Sequence, residues 1–299
     1  MSEHVLLGDA ALGLAALDAV DSFAYGYPGT PSTEIIEYMQ QVIAAGRGTR
    51  FGEAAGTPGH EPRAAWCSNE KTAYESAVGA SAVNKRVLVT MKHVGLNVAA
   101  DAFMNSVLMN IQGGLVCAVG DDPGMHSSQN EQDNRNYADF AKIPCLEPRT
   151  QQEAYDMTLY AFDLSERFHV PVLLKLVTRL AHARAVVSSV APRERNSLRK
   201  FSGRNDFMVL PATSRVSYAN HLQVFAELEN ETAGSPFNTL TWADSWHPDS
   251  AAAERRRAKP FSVITTGLGR NYYDENKSDL DFVPDHLHLG MYPMPTELI

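Results

Sequence analysis

The sequence predicts an α/β protein built on a wound, mostly parallel sheet, and three observations carry that expectation. Between residues 8 and 175, segments with apolar residues every three or four positions alternate with short apolar runs. The run 113–120 is apolar without alternation, as a central parallel strand covered on both faces requires. Thr150-Gln-Gln-Glu153 stands as a capping box just before a long helical pattern.

The elements follow in order. A helix over about 9–20 carries Ala10, Leu14 and Leu17 on one side, and Phe23 to Tyr27 reads as a short strand. After the loop Tyr27-Pro28-Gly29-Thr30-Pro31-Ser32, Thr30 can cap the next helix, and Pro31 suits its first position, with the helix running to about Ile43. Residues 47–63 are rich in Gly and Pro and read as a long loop before a buried strand near Ala65-Trp66-Cys67. A helix over 69–84 presents Ala73, Ala77, Ala80 and Val83 on one face, small enough to pack closely on a sheet or on another subunit. A strand at 86–91, a helix at 95–110 and the run 113–120 come next, and a polar loop spans 121–131. The capping box opens a helix bearing Ala154, Met157, Ala161, Leu164 and Phe168, which leads into a strand at 170–176.

At 299 residues the chain exceeds one average domain, so one large domain with a smaller one, or part of one, is expected. The first domain is expected over 1–190. Residues 190–260 mix Gly, Pro, Ser, Asn and clustered charge, and read as a connector over 191–260 with a helix near 217–231. An α/β pattern restarts at Phe261 and stops after a strand at 286–290, as an incomplete domain over 261–299.

Composition excludes several classes of function. Hydrophobic residues make up 44% and charged residues 20%, which fits neither disorder nor a coiled coil. The formal net charge is −9, and the one dense basic run is Arg255-Arg256-Arg257, which argues against a nucleic-acid partner. No stretch approaches the roughly 18 apolar residues of a membrane span, and Met-Ser-Glu-His does not open a signal peptide, so a cytoplasmic location is expected. Cys67, Cys117 and Cys145 are isolated and form no Cys-x-x-Cys, so no disulfide framework, iron–sulfur cluster or metal ligand set is expected in this chain. No phosphate-binding Gly-Lys, no Gly-x-Ser-x-Gly elbow and no His-Glu-x-x-His occurs. Gly267-Leu-Gly269 follows a strand as a dinucleotide loop does, but Tyr272 stands where the third glycine belongs.

Four loops at the carboxyl ends of expected strands hold the unusual residues, and that edge is where wound sheets bind ligands. They are Tyr27 to Ser32, Asn69-Glu70-Lys71, Met91 to Asn97, and Gly120 to Asn130. On spacing alone Glu70 reads first as a carboxylate answering a helix dipole. Thr30 reads as a cap, Lys92 and His93 as solvated loop residues, and His126 as part of a turn.

The strings at 27–32 (Tyr-Pro-Gly-Thr-Pro-Ser), 68–71 (Ser-Asn-Glu-Lys), 91–101 (Met-Lys-His-Val-Gly-Leu-Asn-Val-Ala-Ala-Asp) and 121–133 (Asp-Asp-Pro-Gly-Met-His-Ser-Ser-Gln-Asn-Glu-Gln-Asp) resemble the alpha subunit of indolepyruvate ferredoxin oxidoreductase. That family is thiamine diphosphate-dependent. The resemblance continues through Leu210-Pro211-Ala212 and Ser235-Pro236 to the stretch Gly290 to Pro295, so it covers nearly the whole chain. It implies a pyrimidine-binding domain up to about 190 and the beginning of a transketolase C-terminal-like domain from Phe261.

The same resemblance assigns roles. Glu70 matches the carboxylate that bonds N1′ of the aminopyrimidine, where a shared proton favours the imino tautomer whose 4′ nitrogen takes the proton from the thiazolium C2. Pro28, Gly29, Thr30, His93 and Asn97 are expected beside the cofactor, and Thr30, Lys92 and His126 are expected to meet the 2-oxo acid. Family alpha subunits are about twice as long and hold the diphosphate and Mg²⁺ through Gly-Asp-Gly, with Cys-rich cluster motifs beyond. No Gly-Asp-Gly occurs here. The Mg²⁺ and iron–sulfur clusters are therefore expected on a further domain or on a partner chain, with a ferredoxin partner and a homo- or hetero-oligomeric assembly. The activity implied is oxidative decarboxylation of a 2-oxo acid, an arylpyruvate, to acyl-CoA. A non-oxidative decarboxylase subunit and a noncatalytic assembly subunit are the alternatives.

Overall fold

A computed structural model describes residues 2–19, 23–45, 63–200, 207–242, 261–280 and 283–299. The expected long loop at 47–63, apart from Arg63, and the Arg255-Arg256-Arg257 run lie outside them. The first part of the chain runs β1 (Ser2–Leu7), α1 (Gly8–Asp18), β2 (Phe23–Gly26), α2 (Thr33–Ala44), β3 (Arg63–Trp66), α3 (Glu70–Ala82), β4 (Val87–Lys92), α4 (His93–Ser106) and β5 (Leu115–Asp121). It continues with α5 (Arg135–Ala141), β6 (Cys145–Leu146), α6 (Gln151–Phe168), β7 (Val172–Val177), α7 (Thr178–His182) and β8 (Arg184–Ser189). The last part comprises α8 (Pro211–Ala233), β9 (Thr239–Thr241), β10 (Val263–Thr266), α9 (Gly269–Asn276), β11 (His286–Leu289) and β12 (Met291–Tyr292).

The main sheet has seven strands in the order β12-β6-β7-β5-β4-β2-β3, all parallel except β12, which runs antiparallel to β6. Each central strand is apolar on both faces because each face has its own core. Leu88, Val116, Ala118, Val172 and Leu174 point into one core with α1, α2 and α6. Val87, Val89, Leu115, Cys117, Val119 and Leu173 point into the other with α3 and α4. The unbroken run at 113–120 is the sequence trace of this two-sided burial.

Helix starts follow side-chain chemistry. Thr150 accepts the Glu153 N–H at 3.1 Å, as the capping box predicts, while the Glu153 carboxylate accepts the Arg149 N–H at 2.9 Å, one residue earlier than the ideal box. The expected cap at Thr30 is displaced. α2 starts at Thr33 after an N-cap at Ser32, because residues 29–32 form a turn in which the Ser32 N–H and hydroxyl both reach the Gly29 carbonyl at 2.9 Å. α4 begins at His93, two residues before the expected start.

Several features have no precursor in the sequence reading. β1 pairs antiparallel with β8, 180 residues away, forming a two-stranded ribbon beside α1 and α6, and α1 is buried on nearly all sides against α2, α6 and α7. The short α5 and the two-residue β6 and β12 also appear. The small-residue face of α3 is spent partly inside the chain. Ala73 and Ala77 are fully buried in its own core, while Ala80 and Val83 are partly exposed. Among the described residues, no helix is long and apolar enough to cross a membrane.

Candidate functional site

Register places every singled-out loop on one edge. Gly26 pairs with Trp66 and Thr90, Lys92 with Gly120, and Asp121 with Val177, so the chain leaves β2, β3, β4, β5 and β7 on the same side of the sheet. This is the carboxyl edge, where helix starts and loops converge.

Glu70 opens α3, but the capping is done by its neighbour. The Asn69 Oδ1 accepts the Thr72 N–H at 2.8 Å. The Glu70 side chain is thereby left for another use, and it is 9% exposed with no hydrogen bond or ion pair to its carboxylate among the described residues. Neither carboxylate oxygen is among the fully buried, unpartnered atoms, so the end of this largely buried side chain opens to the edge of the sheet, where an incoming donor can reach it. Gly95 of α4 makes the room for it: a Cβ there would lie 2.7 Å from both Cγ and Oε1 of Glu70. A backbone cradle around an unsatisfied carboxylate fits the protonated nitrogen of an aminopyrimidine.

The Thr30 loop is rigid behind an exposed tip. Gly29 donates its N–H to the Thr33 hydroxyl at 2.9 Å, and Pro31 packs on Gly120. Thr30 itself is exposed, and its hydroxyl makes no hydrogen bond among the described residues. The Lys92 side chain crosses Gly29 and donates to the Ser127 carbonyl at 3.3 Å, while the Ser127 hydroxyl stands 3.5 Å from the Thr30 carbonyl. Pro28, Gly29, Thr30, Lys92 and the loop after β5 therefore form one group.

That loop is anchored by Asp122, which sequence reasoning passed over. Its carboxylate accepts the Ser127 N–H at 2.8 Å and stands 3.2 Å from the Thr178 hydroxyl. Burial works against the charge, but hydrogen bonds from Ser127, Ser128 and Thr178 outweigh it and bring the carboxyl down to about 2. His126 sits exposed beside the Gly124 turn.

His93 and Asn97 are placed differently from the rest. The His93 ring is fully buried, and its Nε2–H donates to the Asn130 carbonyl at 2.8 Å, which leaves Nδ1 buried with no partner among the described residues. Its visible work is to hold the β5 loop from below. Asn97, one turn later, accepts the Tyr137 hydroxyl at 2.6 Å and lines a cavity of about 490 Å³ with Glu131, Asp133 and Phe140.

A buried ionic group lies next to this edge. Lys175 on β7 is 3.0 Å from Glu147 and 3.5 Å from Asp121, all three nearly inaccessible. Burial disfavours the ammonium, but the two carboxylates outweigh it and hold the Lys175 pKa above the ordinary value. Arg135 extends the group, bonding Asp133 and reaching the Thr266 hydroxyl at 3.1 Å and the Tyr292 hydroxyl at 3.3 Å. Gly267, φ 43°, turns the chain so closely over Glu147 that a Cβ would stand 2.6 Å from its Cγ. Packing on Glu147 accounts for the glycine that resembled a dinucleotide loop. The signal for this group was present: a lone Lys inside the apolar strand Val172–Val177 needs a buried anion.

Cys117 and Cys145 are core residues of β5 and β6, and burial pushes both thiols up, which suits packing and not cluster ligation.

Comparison with known proteins agrees with the fold. Residues 15–244 match the family model described as pyruvate flavodoxin/ferredoxin oxidoreductase, thiamine diphosphate-binding. The chain is 37% identical over 298 residues to an indolepyruvate oxidoreductase subunit IorA of Archaeoglobus fulgidus, covering 98% of this chain and 44% of that protein. Against the subunit of the same name in Thermococcus kodakarensis it is 42% identical over 277 residues, covering 91% of this chain and 39% of the relative. A 2-oxoglutarate synthase subunit KorA of Methanothermobacter thermautotrophicus is 30% identical over 190 residues, 62% of this chain and 47% of the relative. Among solved structures, 2-oxoglutarate:ferredoxin oxidoreductase from Magnetococcus marinus, with 2-oxoglutarate, coenzyme A and succinyl-CoA bound, superposes with a TM-score of 0.70 at 14% identity. The match covers 99% of this chain and 55% of that one and shows a common fold. The chain spans less than half the length of the indolepyruvate oxidoreductase subunits it matches.

Proposed function

The chain belongs to the pyruvate flavodoxin/ferredoxin oxidoreductase thiamine diphosphate-binding family, and from that premise we propose that it supplies the pyrimidine-activating half of the active site of a 2-oxo acid oxidoreductase acting on arylpyruvates. The observation that carries this reading is Glu70: a nearly buried carboxylate, relieved of capping by Asn69 and cradled by Gly95, with no partner of its own among the described residues. Thiamine diphosphate, when bound, supplies the electron sink that a 2-oxo acid needs to lose carbon dioxide.

The chain's own residues do the rest. Glu70 holds a proton at N1′ of the aminopyrimidine, with its stem fixed by burial and its carboxylate left free by Asn69. Thr30, Lys92 and His126 face the solvent side of the same edge, where the Lys92 ammonium complements a substrate carboxylate. Ser127 steadies Lys92 through its carbonyl, and Asp122 steadies Ser127. Pro28 and Gly29 shape the turn, while His93 and Asn97 support the wall formed by α4 and the β5 loop.

The reading places the Mg²⁺–diphosphate anchor, the iron–sulfur centres and the contact with ferredoxin on a further domain or a partner chain in the cytoplasm. It keeps the pyrimidine-binding domain at 1–190, the connector at 191–260 and the start of the last domain at 261–299. The preference for an arylpyruvate rests on the greater identity to proteins named indolepyruvate oxidoreductase than to those named 2-oxoglutarate synthase.

The test is Glu70→Gln in the assembled enzyme. Deuterium exchange at the thiazolium C2 of bound cofactor should slow by about 10²–10⁴-fold at matched occupancy, the range typical of lost acid–base help. The melting temperature should stay near wild type, because the replacement is isosteric. Equal exchange rates would return Glu70 to a helix-dipole role.

A further inference from the structure

A second group of titratable residues stands behind the site and takes no part in it. Asp9, in the first turn of α1, is fully buried, and its carboxylate oxygens meet no N–H or hydroxyl donor among the described residues, the facing group being the Glu34 carboxyl. A carboxylate in a first turn ordinarily caps its helix, yet α1 has no side-chain cap. Glu34 of α2 faces Asp9, and its buried Oε2 also lacks a hydrogen bond. His182, the last residue of α7, sets its Nε2 3.6 Å from that same oxygen. One donor atom from each of the three lies within 4.8 Å of the other two.

We propose that Asp9, Glu34 and His182 bind a divalent transition-metal ion of the zinc class. Two facing carboxyls, one fully buried, are satisfied either by a shared proton or by a cation between them, and the adjoining imidazole favours the cation and selects among cations. Calcium and magnesium favour oxygen-only shells of six or more ligands, whereas zinc accepts carboxylate oxygen and histidine nitrogen together in a four-coordinate site. Two donors at about 2.0–2.1 Å from a tetrahedral zinc lie roughly 3.3 Å apart, close to the Glu34–His182 separation of 3.6 Å. Any remaining closure falls on Glu34 and His182, whose side chains are each 36% exposed and free to adjust. Asp9 closes the site from the inside, and the exposed side admits the ion and leaves room for a water as fourth ligand.

The position gives such an ion a consequence. Glu34 is the second residue of α2, directly after the Thr30 turn, and α7 begins with Thr178, whose hydroxyl reaches Asp122. The ion joins α1, α2 and α7 and so fixes the roots of both loops that border the candidate site. Positions 9, 34 and 182 have no motif spacing, so the sequence reading expected no metal ligand here.

The test uses the full chain, stripped with chelator, loaded with zinc chloride and dialysed at about pH 7.5. One zinc per chain should be retained, and the melting temperature should rise on loading, as binding to the folded state alone demands. Cobalt(II) in its place should give visible absorption bands. His182→Gln, at a half-exposed helix end where the fold tolerates change, should weaken zinc binding at least about tenfold and remove the melting shift. Asp9→Asn should abolish retention. Less than about 0.1 zinc per chain in the wild type, or unchanged retention in His182→Gln, overturns the proposal and leaves a proton shared between Asp9 and Glu34.

Discussion

Gly95→Ala separates the proposed chemistry from stability more sharply than any substitution of Glu70 itself. The new Cβ would stand 2.7 Å from Oε1 and Cγ of Glu70 and 3.1 Å from its carboxyl carbon, where ordinary contact begins at 3.4 Å. The carboxylate must therefore retreat by about 0.7 Å or rotate away, a misplacement of the order that costs roughly 10²-fold when a catalytic group is involved. Stability should respond little. Gly95 lies within α4, so alanine gains about 0.8–1.0 kcal/mol of helix propensity, offsetting the strain of moving one flexible side chain. The assays are thermal melting of the chain and 2-oxo acid-dependent reduction of an electron acceptor by the assembled enzyme. Melting should stay within about 2–4 °C of wild type, while turnover falls by about two orders of magnitude. Gly79→Ala is the control, because nothing lies within 4 Å of a Cβ there; it should gain about 0.4–1 kcal/mol and keep full activity. A Gly95→Ala enzyme with wild-type turnover would refute the cradle and the role given to Glu70.

Two further outcomes follow from buried charge. Lys175→Met removes the only cation within salt-bridge range of buried Asp121 among the described residues and one of two near Glu147; urea unfolding should show a loss of about 3–5 kcal/mol, and a loss under about 1 kcal/mol would contradict the ionic reading. His286 and His288, sharing the Thr265 hydroxyl at 2.8 and 3.2 Å, are held neutral by burial and then by nearby arginines, with values near 4. The folded state thus binds fewer protons than the unfolded one between the ordinary 6.5 and about 4. Their contribution to stability is complete above pH 6.5 and lost as pH falls through that window. The melting temperature should fall over that range and fall less steeply in His288→Gln; identical slopes would contradict the assignment.

What the sequence disclosed and what it withheld divide along physical lines. Strands buried on both faces were legible, since β4, β5 and β7 are apolar along most of their length, with Thr90, Lys92, Asp121 and Lys175 at or near the carboxyl edge. The α6 start was legible because a Thr cap and a first-turn Glu act locally. β1 was hidden because its partner lies 180 residues away and half its side chains remain exposed. β6 and β12 are two residues each, too short for any period to show. Thr30 before Pro31 matched a cap by residue type, but Ser32 and Thr33 offered the same chemistry two and three positions on, and the backbone turn at Gly29 decided between them.

The candidate site shows the same division, and Glu70 is where structure adds most. A glutamate after asparagine at a helix start is compatible with a cap, with a dipole partner and with a catalytic carboxylate, and spacing cannot choose. Three observations favour the proposed role: Asn69 takes the cap, α4 brings a glycine where any side chain would collide, and no donor among the described residues meets the carboxylate. The carboxylate is therefore held at the open end of a buried stem, free of any partner of its own and accessible from the edge. On the proposed reading, the partner of Glu70 is a protonated nitrogen heterocycle from outside the chain's own side chains, bound at this edge.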